Sequence, residues 1–233
     1  MVTLQGKYRY REPKDYSQDV FIANVIGKRR KVVIKRFWSR DHPLCFNERL
    51  FLEELDHPEL PKVEDYFCEG DKTYLVISFY PGTEIKKMPE CGTEDSVRDC
   101  LIQGAQLLQY LKGINIVHRD VTPNNLVKGK KLALIDFGLA VFYSPLTDRR
   151  SNTRAGTWAY MAPEQDQGHA HFKSDVWGLG ASMYFYLTGI LGIAESREEL
   201  WFPEGVVGNV LRDMLQKDLE KRISASDVLE RLK

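Results

Sequence analysis

Between His118 and Asn125 the chain reads HRDVTPNN, and DFG follows at Asp136, Phe137 and Gly138. Asp120 and Asn125 stand five residues apart, in a short segment between a helix-like run and a strand-like run. A base and two oxygen donors therefore share one cleft. Such a set suits phosphoryl transfer, in which a protein positions a hydroxyl and holds magnesium against phosphates rather than supplying covalent chemistry. The two motifs together at this spacing are specific, whereas either one alone is weak.

The elements that must position these groups come from a chain of 233 residues, 43% hydrophobic and 28% charged, which is ordinary for a soluble globular protein of one large domain or two lobes. Lys plus Arg and Asp plus Glu are equal at 33 each, so the balance of charge offers no reason to expect nucleic acid or a membrane surface as partner. Cys45, Cys68, Cys91 and Cys100 form no CxxC pair, which argues against a zinc site or a disulfide framework and for a reducing, cytoplasmic setting. The N-terminal MVTLQGKYRYREPK has no apolar signal core and reads as an exposed first strand. From Val176 to Ala194 no residue is charged, but glycines, Ser182 and Thr188 dilute the run, and it reads as a buried helix rather than a membrane span.

Residues 1 to 38 read as strands, with Val32 and Ile34 on one face and Val33 and Lys35 on the other. In CFNERLFLEELDHP, Cys45, Glu48, Phe51, Leu52 and Leu55 fall on a single helical stripe. Glu48 is thus a carboxylate on an apolar face, a costly placement unless a cation meets it, and Lys35 is the candidate. Lys62 to Phe67 and Thr73 to Phe79 read as a hairpin joined by CEGDK, and YPGTE marks a boundary. Ser96 to Gly113 has helical periodicity with Gly113 as the expected cap, Leu132 to Ile135 is a short strand, and Val206 to Leu232 carries two amphipathic helices. Gly138 to Glu164 is long, polar and aperiodic.

Taken with VVIK at 32 to 35, ERLFLEELDHP, GTWAYMAPE and SDVWGLG, these motifs make the chain resemble the protein kinase family, in its Hanks-type serine/threonine branch, from about Val20 to Leu232. The resemblance implies an α+β, bilobal fold: an N-lobe at 1–79 with a small antiparallel sheet and one helix, a hinge at 80–84, and a mainly helical C-lobe at 85–233. It implies ATP and Mg2+ as cofactors and a protein Ser or Thr hydroxyl as acceptor. Asp120 would be the base and Lys35 would contact the phosphates, oriented by Glu48. Asn125 and Asp136 would hold the metal. Thr157 would hydrogen-bond to the catalytic segment and mark a Ser/Thr preference. Around the base, Ile77 would be the gatekeeper, the Ser78 carbonyl and Tyr80 amide would meet adenine, Glu84 would reach the ribose, and Val20, Val33 and Val127 would line the pocket.

The same resemblance makes Arg119 a receiver for a phosphate at Thr153 or Ser151 and pairs Glu164 with Arg222 structurally. It also stacks Leu52, Val63, His118 and Phe137 on a base held by Asp175. The sequence departs from the family in three places. Pro13, Asp15 and Gln18 occupy the glycine positions of the phosphate loop, Thr122 replaces a lysine, and the stretch from Gly189 to Gly205 is short. Two other readings stay open on these grounds: a pseudokinase that acts through a partner, and a small-molecule phosphotransferase.

Overall fold

Alternation of apolar and polar residues along the first eighty positions builds one antiparallel sheet. In a computed structural model of the chain, the described residues are 1–11, 19–143, 155–191 and 200–233. Pro13, Asp15, Gln18, Ser151 and Thr153 lie outside them, as do residues 192–199 of the short stretch after Gly189. The strands are β1 (Val2–Leu4), β2 (Tyr8–Tyr10), β3 (Val20–Val25), β4 (Lys31–Phe37), β5 (Val63–Glu69) and β6 (Lys72–Ser78), ordered β1-β2-β3-β4-β6-β5. One helix, α1 (Pro43–Glu54), belongs to this unit, which spans Met1–Pro81.

Register assigns the two faces of the sheet. Val20 lies opposite Lys35 and Lys35 opposite Leu75, while Ile22, Val33 and Ile77 form the next row on the same face. On the other face Phe21, Ala23, Val32, Ile34, Tyr74 and Val76 form a buried core with Leu4, Tyr8 and Tyr10. This corrects the expectation of an exposed first strand. The N-terminal residues make two short strands that close that core with Leu4 of the first and Tyr8 and Tyr10 of the second, and the Tyr10 and Phe21 rings stack 4.3 Å apart. A period-2 pattern shows only that one face is apolar, and Tyr10 buries because Phe21 needs a cover. The β5–β6 hairpin turns more tightly than expected, on two residues, with Gly70 in the left-handed region at φ 60°.

The second unit, Gly82–Lys233, is mainly helical. Its helices are α2 (Glu94–Gly113), α3 (Pro163–Asp166), α4 (Phe172–Thr188), α5 (Val206–Met214) and α6 (Ala225–Leu232). Short strands β7 (Thr83–Glu84), β9 (Leu126–Lys128) and β10 (Leu132–Leu134) form one small sheet, and β8 (Ile116–Val117) pairs with β11 (Val141–Phe142). Thr93 caps α2 by accepting from the Ser96 amide at 3.2 Å, so the helix begins before the apolar run does. Gly113 is its last helical residue and not the cap. The left-handed turn falls instead on Asn115, at φ 58°, a residue type that tolerates it.

Buried along most of its length, α4 ends at Gly189, whose φ of 74° breaks the apolar run that continues beyond it. Among the described residues no helix is long and apolar enough to cross a membrane. Arg222, fully buried, joins Glu164 through two bonds, Nη1 to Oε1 at 2.5 Å and Nη2 to Oε2 at 2.9 Å. Cys45 and Cys100 are buried thiols, and Cys68 and Cys91 are exposed ones.

Candidate functional site

In the first unit the strand and helix periods bring Lys35 and Glu48 together. Lys35 Nζ donates to Glu48 Oε1 at 2.7 Å, with the lysine 12% and the glutamate 2% exposed. That contact supplies the cation which a carboxylate on the buried stripe of α1 requires. Val20 and Val33 share the Lys35 face, with Ile77 buried at its centre. Sequence reasoning missed Ile22, an exposed apolar residue in the same row as Val33; strict alternation from Val20 was the signal for it. Ser78 is tied to Lys62 twice: its amide donates to the Lys62 carbonyl at 2.9 Å, and its hydroxyl accepts from the Lys62 amide at 3.0 Å. Burial raises the pKa of the half-buried Tyr80 phenol.

In the second unit the HRDVTPNN segment is held from below by α4. Asp175 accepts the amides of His118 at 2.7 Å and Arg119 at 2.9 Å, and Arg119 adopts φ 67°. Burial pushes the Asp175 carboxyl up to about 7, against the pull of those two amides and of the Arg119 guanidinium. Close approach is possible because Gly178 has no side chain; a Cβ there would lie 2.7 Å from the Val121 carbonyl. Above this base, Asp120 gathers donors on both oxygens. Its Oδ1 accepts the Thr157 amide at 2.9 Å and hydroxyl at 2.8 Å, and its Oδ2 accepts Asn125 Nδ2 at 2.8 Å. The same Asn125 nitrogen donates to the Asp120 carbonyl at 3.0 Å, which leaves the amide oxygen of Asn125 facing away from the carboxylate.

Asp136 ends the loop after β10 in a left-handed conformation, φ 68°, and its Oδ1 accepts the Gly138 amide at 3.4 Å. Such backbone outliers cost of order 1–3 kcal/mol and persist where the surroundings dictate them. The Phe137 and His118 rings meet edge to face, 4.6 Å apart. Glu84 accepts a bond from Lys87 at 2.7 Å, and Val127 lies opposite it in the small sheet. Arg119, whose pKa burial lowers despite the opposing charge of Asp175, donates through Nε to the Leu139 carbonyl at 2.6 Å. Thr122 is buried, and its hydroxyl and that of Tyr160 lack partners among the described residues; both border a narrow space beside Asp120 with no room for water.

Carboxylate and amide oxygens at Asp136 and Asn125 are the donors a small hard cation prefers. Among the described residues no three His, Cys, Asp or Glu side chains are grouped to hold a metal ion. An ion at Asn125 and Asp136 would draw its other ligands from phosphate and water, as magnesium does.

Residues 19–206 match the family described as the protein kinase domain. The chain is 33% identical over 141 residues to Aurora kinase A-A of Xenopus laevis, an alignment covering 58% of this chain and 34% of that protein. It is also 33% identical over 166 residues to serine/threonine-protein kinase C of Synechocystis sp., covering 65% of this chain and 30% of that one. The chain thus matches about a third of the length of these relatives.

Proposed function

The chain belongs to the protein kinase domain family, and from that premise we propose that it transfers the γ-phosphoryl group of ATP to Ser or Thr hydroxyls of a protein. The observation that carries this reading is the Asp120 carboxylate, on which Thr157 and Asn125 converge at 2.8–2.9 Å. Thr157 and Asn125 orient the carboxylate, so that it can accept the acceptor hydroxyl's proton as that oxygen attacks; hydrogen-bond reach matters more here than an unusual pKa. Asn125 and Asp136 would hold the metal. Magnesium, when bound, neutralises charge on the β- and γ-phosphates.

Lys35, kept in place by Glu48, meets the α- and β-phosphates, and its charge is strongest in a site from which water is excluded. Residues 80–84 serve as the hinge between the lobes, with the Ser78 carbonyl and Tyr80 amide toward adenine. Val20, Val33, Ile77 and Val127 line the base pocket, and Glu84 turns from Lys87 toward the ribose. Beside Thr157, a cavity of about 350 Å³ walled by Trp158, Met161, Pro163 and Trp177 on one hand and Asp166, Gln167 and Lys217 on the other offers a seat of mixed polarity for a peptide side chain. Phosphate on Thr153 or Ser151, delivered by the chain itself, would be received by Arg119. A reducing, cytoplasmic setting suits the four free cysteines.

The test uses labelled ATP, magnesium and a generic basic protein. Wild type transfers phosphate, and Asp120→Ala abolishes transfer while nucleotide binding stays intact. Turnover unchanged in that variant would reject the assignment.

A further inference from the structure

Gln165 lies immediately beyond the GTWAYMAPE motif and carries none of the roles assigned above. It is 5% exposed, and its side-chain nitrogen donates to two main-chain carbonyls, Arg119 at 2.5 Å and Ala155 at 2.8 Å. Both partners are acceptors, so the amide must present its NH2 group, and neither a carboxylate nor an apolar side chain can replace it. Arg119 directly precedes Asp120, and Ala155 stands two residues before Thr157. The two carbonyls therefore belong to the two segments whose side chains meet at the Asp120 carboxylate. Gly156, between Ala155 and Thr157, yields the space: at φ 129°, a Cβ there would lie 2.6 Å from Gln165 Nε2 and 2.7 Å from the Arg119 carbonyl.

We propose that Gln165 is a positioning residue for phosphoryl transfer, its buried amide clamping the Arg119 and Ala155 backbone so that Thr157 holds the Asp120 carboxylate in register. The clamp rests on the kinase reading for its catalytic consequence, but not for its structural one. Without the amide, two carbonyls lose their donor and the Thr157 segment loosens from Asp120. Misplacement of a base by a fraction of an ångström to an ångström costs about tenfold to a hundredfold in rate. Nucleotide contacts are untouched by this change, so the loss falls on kcat.

Three proteins are compared: wild type, Gln165→Leu and Gln165→Glu. Gln165→Leu should lower kcat at least about tenfold, with KM for ATP within about twofold of wild type and the fold retained by thermal melting. In Gln165→Glu only the protonated acid can donate, so its rate relative to wild type should climb as pH falls from 8 to 5.5. Hydrogen–deuterium exchange of residues 155–158 should be faster in both variants at neutral pH, whether or not the protein turns over ATP. If wild type transfers no phosphate, the kinase reading fails while exchange still judges the clamp. Unchanged exchange, a Gln165→Glu profile parallel to wild type, or activity lost only in proportion to unfolded protein would each overturn the proposal.

Discussion

At the scale of single residues, the Lys35–Glu48 pair and the Asp120 network differ in what they put at risk. Glu48 is 2% exposed and its Oε1 accepts from Lys35 Nζ at 2.7 Å, so Lys35→Met removes the cation that faces this carboxylate in the interior. Breaking a buried pair on one side typically costs roughly 3–5 kcal/mol, and equilibrium urea unfolding should show a loss of that order. Glu48→Gln, which keeps a hydrogen-bonding partner, should lose little stability yet lower turnover in the ATP assay about tenfold or more. Lys35, Glu48, Asp120, Asn125 and Asp136 stand out in the sequence as candidates because each combines a distinctive residue type with a fixed spacing. Gln165 does not, because its contact joins two segments rather than following any local pattern, and Gly156, although it opens GTWAYMAPE, shows its close approach to Gln165 only in three dimensions. Thr122 stands out in the sequence as a departure, but that its hydroxyl is buried without a partner among the described residues is visible only in three dimensions.

Among the elements, α2 and α4 show how glycines at different places have opposite consequences. Gly178 lies on α4 where a Cβ would press on the Val121 carbonyl at 2.7 Å, so Gly178→Ala forces the helix and the HRDVTPNN segment apart. Overpacking of this kind costs about 1–3 kcal/mol, read as a lower Tm together with reduced turnover. Gly113, by contrast, ends α2 in helical conformation, and a Cβ added there would meet nothing within 4 Å. Gly113→Ala should therefore stabilise, by up to about 1 kcal/mol in thermal or chemical denaturation. Helical stripes gave α1, α2 and the last two helices their correct type because the 3.6-residue period is long enough to be unambiguous. The ends were less legible: α2 starts at Glu94 because Thr93 caps it, and the chain turns away past Gly113 because Asn115 accepts the left-handed conformation. Likewise Tyr8 and Tyr10 alternate as an exposed strand would, and their burial comes from the core they join, the rings of Phe67 and Phe21 included.

For the molecule as a whole, the α+β protein kinase fold was readable from motifs spread along most of the chain, and residues 19–206 bear the family's pattern. One part of its response to acid should follow from Glu164, with the raised Asp175 carboxyl acting in the opposite sense. Burial alone would raise that carboxyl, but hydrogen bonds and charge from Arg222, with Ser174, hold it below the ordinary value. A depressed carboxylate contributes stability that is present above its unfolded pKa of about 4.5 and disappears as pH falls through the folded value. Arg222→Met should accordingly be less stable than wild type by several kcal/mol at pH 7, about 3–5 for a buried pair broken on one side. The gap should narrow below about pH 4.5 as Glu164 protonates; urea midpoints at pH 7 and pH 3.5 measure it. A gap of equal size at both would assign the Arg222 contribution to its packing on Trp177, whose ring lies 5.0 Å away, and to its bonds to backbone carbonyls.

The distribution of thiols has a practical side. Burial pushes Cys45 and Cys100 up to about 11, so neither is a ready nucleophile, whereas Cys68 and Cys91 stand exposed, one on each compact unit. Maleimide dyes would therefore attach once to each half of the native chain without any engineering. Energy transfer between such a donor and acceptor would report directly on whether the halves draw together when nucleotide is added.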